Sequence, residues 1–195
     1  MSHHIYHTRG IILSAQPSGE SNRFFKIFTD EIGLVGATAQ SVREGKSKLR
    51  YTLQERSLVT VDLVRGKEVW RIVSAGPWQS LDKVKSDTVK AGLLSGYYTL
   101  LTRLIQGEGR DAGLFEEIVS VASYLDSQEF SPELTLAFET LTAFRVLVHL
   151  GYIDPLGYEK FLEPHDYSSS LLNEFEKIRP QTLAMINQAL SASHL

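Results

Sequence analysis

The chain of 195 residues contains no cysteine. Disulfide bonds, thiolate catalysis, iron–sulfur clusters and cysteine zinc sites are therefore excluded, which fits a reducing cytosol. Long apolar runs are also absent, since no stretch approaches the roughly 18 uninterrupted apolar residues of a membrane-spanning helix. The first residues lack the basic and apolar segments of a secretory signal. We therefore expect a cytoplasmic protein without a membrane span.

Patterns that carry catalysis are equally scarce. A phosphate-binding P-loop requires Gly-x-x-x-x-Gly-Lys-Ser/Thr, of which only Gly45-Lys46-Ser47 occurs. His149 falls near the end of an apolar helical segment, where packing or capping is commoner than base catalysis. His3, His4 and His7 lie close to the N-terminus, where adventitious metal binding is the simpler interpretation. We expect no enzyme activity, no cofactor, no metal and no small-molecule substrate.

Charge is distributed unevenly along the chain. Residues up to Ser80 include 11 basic and 7 acidic side chains, a balance of +4, whereas the remainder includes 9 basic and 16 acidic ones, a balance of −7. Arg43, Lys46, Lys48 and Arg50 fall within eight residues of each other. Such a loop either contacts phosphate groups or is simply solvated. The two halves are expected to face different partners.

The first 80 residues show short β-rich runs separated by turn residues. The predicted strands are Thr8–Leu13, Arg23–Thr29, Leu34–Ala39, Ser57–Leu63 and Glu68–Ser74. Gly33 and Gly66 lie in connections that are typical of hairpins. Five strands in about 75 residues indicate a small closed barrel.

Beyond Ser80 the apolar spacing becomes helical. The predicted helices are Val84–Ile105, Leu114–Leu125, a third that opens with Ser131 as cap and Pro132 at its first position and reaches Leu150, and Leu171–Leu190, which Pro180 should divide into two. The fold class is therefore α+β, with a five-stranded barrel at residues 1–80 followed by a helical bundle at residues 81–195.

Several ordered segments resemble the bacterial recombination mediator RecO. SNRFFKIFTDEIGLVGATAQSVR, followed by KSKLRYTLQ, is similar to the strand, turn, strand and basic loop of that family's N-terminal domain. GYYTLLTRLI, the pair Leu114-Phe115 and FRVLVHLGY are similar to its helical domain. The resemblance covers about residues 5 to 152. It implies an OB-fold barrel before a helical bundle.

The family resemblance also implies a function. It implies binding of single- and double-stranded DNA, annealing of complementary strands, help in replacing single-strand binding protein by recombinase, and contacts with RecR and with the C-terminal tail of single-strand binding protein. The chain departs from the family at Gln40, where a lysine is usual, and lacks the four-cysteine zinc site that many members carry. We expect a zinc-less member with a short C-terminal region. The alternative is a protein-interaction adaptor with weak or lost DNA binding.

The barrel supplies the predicted DNA-binding residues. An OB barrel binds single strands with cations along a groove and with aromatic faces on which bases stack. The predicted residues are Arg23, Arg43, Lys46, Lys48, Arg50, Tyr51, Lys67, Trp70 and Arg71. Trp70 has a second interpretation, in which its ring fills the barrel.

The helical half contains isolated arginines among apolar residues. An arginine rimmed by apolar side chains suits an acidic peptide tail, because its guanidinium can pair bidentately with a carboxylate. The residues predicted for this use, which the family resemblance favours, are Arg103, Leu104, Phe115 and Arg145. From the residues alone, Arg145 pairs with Glu139 or another internal acid, and Phe115 belongs to the core.

Overall fold

The computed structural model, which describes residues 4–42, 47, 49–128 and 131–192, contains two compact units. The barrel unit comprises the residues up to Leu81 together with Ile105–Phe115. The helical unit comprises Asp82–Leu104 and the residues from Glu116 onward. The domain boundary predicted after residue 80 is one residue from Leu81, where the first segment of the barrel unit ends. Nothing in the local sequence pattern indicates that Ile105–Phe115 belongs with the barrel.

Five strands form the barrel. They are β1 (Ile5–Ser18), β2 (Asn22–Thr29), β3 (Gly33–Ala39), β4 (Leu58–Arg65) and β5 (Trp70–Gln79). The strands close in the order β1-β2-β3-β5-β4, and only the β3–β5 pair is parallel. A single helical turn, α1 (Leu49–Thr52), lies between β3 and β4 in the sequence. This is the architecture of an OB-fold, so the predicted five-stranded barrel is confirmed.

The length of β1 allows the barrel to close. Its first half pairs with β4 and its second half with β2, and the register shifts between Ile12 and Ser14. Such a bulge bends a strand and increases its twist, so one strand serves both neighbours. Alternate residues then point inward, as the alternating burial along β3 shows. The interior includes Ile12, Phe25, Ile27, Val35, Ala37, Val59, Val61, Leu63, Trp70 and Ile72.

Gly33 begins β3 at a position that only glycine fits well. Its φ is +86°, in the left-handed region where other residues are strained. A Cβ atom at Gly33 would lie 2.6 Å from the nitrogen of Gly109 and closer still to the Gly109 carbonyl oxygen. Gly33 also pairs with Glu108 in an isolated β-bridge. We call Ile105–Phe115 the strap, because this pairing attaches it to the barrel.

The described residues of the helical unit form five helices. They are α2 (Asp82–Ser86), α3 (Thr88–Leu104), α4 (Ala112–Ser127), whose first residues belong to the strap, α5 (Thr135–His149) and α6 (Ser169–Ala192), with 3₁₀ turns at Pro132–Leu134 and Glu159–Leu162. No helix in the described part of the chain combines the length and the apolar character that crossing a membrane requires.

The prediction of one helix over Val84–Ile105 was wrong at its start. The chain forms α2, leaves the helix at Asp87 and begins again as α3. Asp87 Oδ1 accepts hydrogen bonds from the backbone nitrogens of Val89 (2.8 Å) and Lys90 (3.1 Å). Asp87 thus caps α3 by satisfying N–H groups that have no partner within the helix.

Two further helix predictions also need correction. Ser131 and Pro132 do not open α5, because Pro132–Leu134 forms a 3₁₀ turn first and α5 begins at Thr135. Pro180 does not divide the last segment, since α6 continues through it. A proline inside a helix costs about 3 kcal/mol. The buried face of α6 continues on both sides of the exposed Pro180, and this packing outweighs the cost.

Candidate nucleic-acid interface

Most acidic side chains of the barrel unit already have partners within it. Those that accept a hydrogen bond or form an ion pair with a described residue are Asp30, Glu31, Glu55, Asp62, Glu108 and Asp111. The cations of this unit that pair with no described acid are Arg23, Lys26, Arg50, Arg56, Lys67 and Arg71. The excess positive charge of the barrel is therefore carried by side chains that remain available to an external anion.

Three cations of the predicted basic loop, Arg43, Lys46 and Lys48, lie outside the described residues. Their contact with DNA stays a prediction. The fourth, Arg50, lies on α1 with Tyr51, and both are exposed. Tyr51 is 78% exposed, which is more than any other large apolar or aromatic residue described in the barrel unit. An aromatic ring beside a cation is the combination on which single-stranded bases stack.

Arg23 and Arg50 line one open groove of about 520 Å³. We call it the arginine groove. Its other lining residues are Pro17, Val42 and Gln54. The groove is thus lined by the end of β1, the start of β2, a residue three positions beyond β3, and α1 with a residue just after it. The sequence separates Arg23 from Arg50 by 27 positions, and the barrel brings them to one groove.

The remaining predicted cations lie on the outer surface of the barrel. Lys67 is exposed in the β4–β5 connection and Arg71 is exposed on β5. Arg71 pairs in register with Thr38 of β3, and Thr38 pairs with Phe24 of β2. The β2–β3 face and the β4–β5 loop are the surfaces with which OB-folds bind oligonucleotides. Lys67 and Arg71 therefore occupy positions suited to DNA contact.

Two further residues of this outer face are not among the residues predicted to bind DNA. Phe24 and Lys26 are half-buried on β2 and alternate with the interior residues Phe25 and Ile27. The Phe24 ring lies over Gly36, where a Cβ atom would come within 2.7 Å of Phe24 Cζ. The alternation within RFFKIF identifies the outward set, but no local signal indicates that Gly36 makes room for the Phe24 ring.

Trp70 is not available for base stacking. It is 3% exposed, and its indole N–H donates a hydrogen bond of 2.8 Å to Glu108 Oε1 of the strap. Arg65 and Tyr6 contact the same ring, with the Arg65 guanidinium carbon 5.2 Å and the Tyr6 ring 5.1 Å from its centroid. The inclusion of Trp70 among the DNA-binding residues was wrong, and the alternative, a ring that fills the barrel, is correct.

Arg145 is equally unavailable to a peptide. Its side chain is 5% exposed, and it donates to the carbonyl oxygens of Phe161 (2.8 Å) and Asp166 (2.9 Å). Its guanidinium also lies 3.5 Å from Glu117 Oε1 and 4.7 Å from the centroid of the Tyr167 ring. The prediction that Arg145 captures a peptide carboxylate requires an accessible guanidinium, and the structure contradicts it. Pairing with an internal acid is confirmed, but the acid beside Arg145 is Glu117 and not the predicted Glu139.

The other residues predicted for peptide binding do not form an open pocket. Leu104 is 3% exposed, and Phe115 is fully buried in the barrel unit, where its ring contacts Phe28 and Trp78. Only Arg103 is exposed. Leu104 and Phe115 are buried and Arg145 is paired internally, so these residues do not form an accessible peptide-binding site in the described conformation.

No cluster of metal-binding side chains emerges from the described residues. Among them, no group of three or more histidine, aspartate or glutamate side chains is placed to hold a metal ion. His7 is engaged by Asp62, with 2.6 Å between Nδ1 and Oδ1. His149 is exposed at the end of α5.

Two buried tyrosines of the helical unit have raised pKa values. Burial is the main cause for both, and the neighbouring Glu117 carboxylate adds to it. The Tyr167 hydroxyl donates a hydrogen bond of 2.5 Å to Glu117, whereas the Tyr97 hydroxyl has no hydrogen-bond partner among the described residues. The neutral form of both is favoured in the folded state.

We expect Tyr97→Phe to leave the helical unit equally stable or more stable by about 1 kcal/mol near neutral pH, because it removes an unsatisfied buried hydroxyl. Above about pH 10 the unfolded chain releases the tyrosine proton while the folded chain keeps it, so wild-type stability falls as pH rises. The variant should fall less steeply. Urea unfolding followed by far-ultraviolet circular dichroism at about pH 8 and about pH 11 measures both effects. A marked loss of stability at the lower pH would contradict an unsatisfied hydroxyl.

The closed barrel with an accessible cationic surface, followed by helices, defines the class of OB-fold proteins with a helical second unit. The family model described as "Recombination protein O N terminal" matches residues 1–80, which contain all five strands. These residues therefore match the N-terminal domain of the RecO family. The chain as a whole is similar to proteins named "DNA repair protein RecO" from several bacteria.

Three relatives indicate the extent of the similarity. The protein from Dehalococcoides mccartyi (strain ATCC BAA-2266 / KCTC 15142 / 195) is 27% identical over 136 residues, which are 70% of this chain and 54% of the relative. The protein from Clostridium perfringens (strain 13 / Type A) is 26% identical over 144 residues, 73% of this chain and 57% of the relative. The protein from Klebsiella pneumoniae subsp. pneumoniae is 27% identical over 188 residues, 96% of this chain and 75% of the relative. The chain thus spans about half the length of the first two relatives.

Proposed function

We propose that this protein is a non-catalytic mediator of DNA repair that binds DNA through its barrel unit in the cytoplasm. The observation that carries the proposal is the unequal pairing of charges on the barrel. Its described acids are mostly engaged by internal partners, whereas Arg50, Lys67 and Arg71 are exposed and pair with no described acid. Phosphate groups supply the missing negative charge. The RecO relatives, which are named as DNA repair proteins, support the same substrate.

The proposal extends to the processes that the family resemblance implies. Cations that screen the phosphates of two strands lower the repulsion between them, and this would favour annealing. Assistance in replacing single-strand binding protein by recombinase, and contacts with RecR and with the tail of single-strand binding protein, belong to the same proposal. The tail does not use Arg145, Leu104 or Phe115 in the described conformation, because all three are buried.

The test is a titration of a labelled oligonucleotide of about 30 nucleotides, followed by fluorescence anisotropy at about 50 and about 200 mM salt. Four phosphate contacts on a single strand give a slope of roughly −3 in log affinity against log salt. We therefore expect binding at low salt that weakens at least about tenfold at the higher salt. No binding at either salt would reject the DNA-binding proposal and favour the adaptor alternative.

A charge-reversal pair tests the basic loop. We expect Lys46→Glu plus Lys48→Glu to weaken binding and to reduce the salt slope, because both changes remove phosphate contacts. Lys85→Glu plus Lys177→Glu is the matched control, since it makes the same change of charge at exposed positions of the helical unit. Equal affinity of the loop variant and the wild type, with a native circular-dichroism spectrum, would remove the loop from the interface.

A further inference from the structure

The arginine groove combines three kinds of chemical group in one small space. Its cations are Arg23 and Arg50, its amide is Gln54, and its exposed apolar wall is Pro17, whereas Val42 borders the groove from the buried core of the barrel. At about 520 Å³ it lies within the size range of sites that hold small organic ligands. A surface that only follows a nucleic-acid backbone needs cations alone. The amide and the exposed proline therefore call for a ligand with more than a phosphate.

An aromatic ring positions the side chain of Arg23. Arg23 is the second residue of β2, and its guanidinium carbon lies 5.6 Å from the centroid of the Phe25 ring. An aromatic ring beneath a guanidinium holds its plane, while the N–H groups at its edge stay free to donate. No described acid pairs with Arg23. The arrangement matches what a bound phosphate requires of an arginine.

Gln54 lines the same groove and is held in place by a hydrogen bond. Its side-chain nitrogen donates a hydrogen bond to the carbonyl oxygen of Arg50, and this bond ties α1 to the residues that follow it. The Gln54 side-chain oxygen has no described hydrogen-bond partner. Gln54 thus positions Arg50 and keeps one acceptor for the edge of a base.

These groups correspond to the parts of one nucleotide. Guanidinium groups bind the phosphate, apolar side chains cover the sugar and the face of the base, and the amide bonds the base edge. In a duplex each base is paired and stacked, so its face and its pairing edge are not available to a protein groove. In a single strand the base is free to leave its neighbours. The groove is therefore suited to single-stranded DNA and not to duplex DNA.

We propose that the arginine groove binds one nucleotide of a single strand, and that it thereby gives the barrel a preference for single-stranded over double-stranded DNA. The inference rests on the proposed function, because it assigns a subsite to the same interface. The exposed cations Lys67 and Arg71 contact backbone phosphate and do not distinguish the two forms.

The experiment compares two double variants on two kinds of DNA. The groove variant is Arg23→Gln plus Arg50→Gln, and the control is Lys67→Gln plus Arg71→Gln, which removes the same charge from the outer surface. Affinities for an oligo-dT of about 30 nucleotides and for a duplex of about 30 base pairs are measured by anisotropy at about 50 mM salt. Native tryptophan fluorescence and circular dichroism confirm that each variant is folded.

We expect the groove variant to lose about tenfold or more on the single strand and no more than about threefold on the duplex. The control should weaken both by the same factor. Equal losses of the groove variant on both DNAs, or no loss on either, would overturn the inference while the proposed function stands. Failure of the wild-type protein to bind either DNA would instead reject the proposed function.

A single change provides a milder version of the test. Arg50→Gln alone alters an exposed side chain on α1 that forms no ion pair with a described residue, so it should preserve the fold. It should still weaken binding of the single strand more than binding of the duplex. Equal weakening of both would count against the groove even if the double variant proved unstable.

Discussion

Replacing Arg145 with alanine should destabilise the helical unit by about 3–5 kcal/mol, the range found when one partner of a buried ion pair is removed. The guanidinium donates to the carbonyl oxygens of Phe161 and Asp166 and lies beside Glu117. Its loss leaves one buried and one partly buried carbonyl oxygen short of a donor, and a largely buried carboxylate without its cation. The 3₁₀ turn at Glu159–Leu162 and the residues before α6 would also lose their attachment to α5.

The two tryptophans allow the two units to be followed separately. Trp70 and Trp78 both lie on β5, so tryptophan fluorescence reports the barrel unit, whereas helical circular dichroism reports mainly the helical unit. In urea, Arg145→Ala should shift the circular-dichroism transition to lower concentration and leave the fluorescence transition almost unchanged. Arg103→Ala is the control, because Arg103 is exposed on the neighbouring α3, and it should change stability by no more than about 0.5 kcal/mol. Equal, small effects of the two variants would show that the buried arginine is dispensable.

Replacing Gly33 with alanine should destabilise the barrel unit by roughly 2–5 kcal/mol, since backbone strain and overpacking each cost about 1–3 kcal/mol. Gly33 has a φ of +86°, and a Cβ atom there would meet the backbone of Gly109 in the strap. Backbone atoms cannot move aside as the end of a flexible side chain can. The strap would therefore have to shift, which weakens the hydrogen bond between Glu108 and Trp70.

Gly19→Ala is a control that separates the cost of backbone strain from the cost of the steric clash at Gly33. Gly19 also has a positive φ, +70°, but no atom lies within 4 Å of a Cβ built there. Its replacement should cost only about 1 kcal/mol, the conformational part alone. The measurement is the fluorescence transition in urea, with a red-shifted native spectrum expected for Gly33→Ala because Trp70 loses its partner. Equal costs at the two glycines would mean that the strap does not constrain Gly33.

Much of the barrel could be predicted from the sequence. The alternation in RFFKIF and LVGATA places one set of residues inside, and the turn glycines Gly33 and Gly66 mark the hairpins. These signals are local, because strand period and turn geometry depend on neighbouring residues. Two local signals gave wrong helix boundaries. Pro180 does not end a helix, because packing of the buried face of α6 outweighs its cost. Ser131-Pro132 does not open α5, because a 3₁₀ turn forms there first.

The site was less predictable. The cations and Tyr51 of the proposed interface could be selected by residue type, but Trp70 and Arg145 have the same residue types and are buried. Their exclusion depends on partners far away in the sequence, Glu108 for Trp70 and Glu117 with two backbone carbonyls for Arg145. The arginine groove likewise joins residues from separate strands and a helical turn.

The sequence by itself determined the order of the elements, the β-rich and helical halves, the uneven charge and the absence of cysteine chemistry, because each depends on composition or on short-range periodicity. Only the tertiary structure decided which cations are free, that Ile105–Phe115 belongs with the barrel, and that Arg23 and Arg50 line one groove. Burial and ion pairing depend on contacts between distant segments, and these contacts exist only once the barrel has closed and the helices have packed.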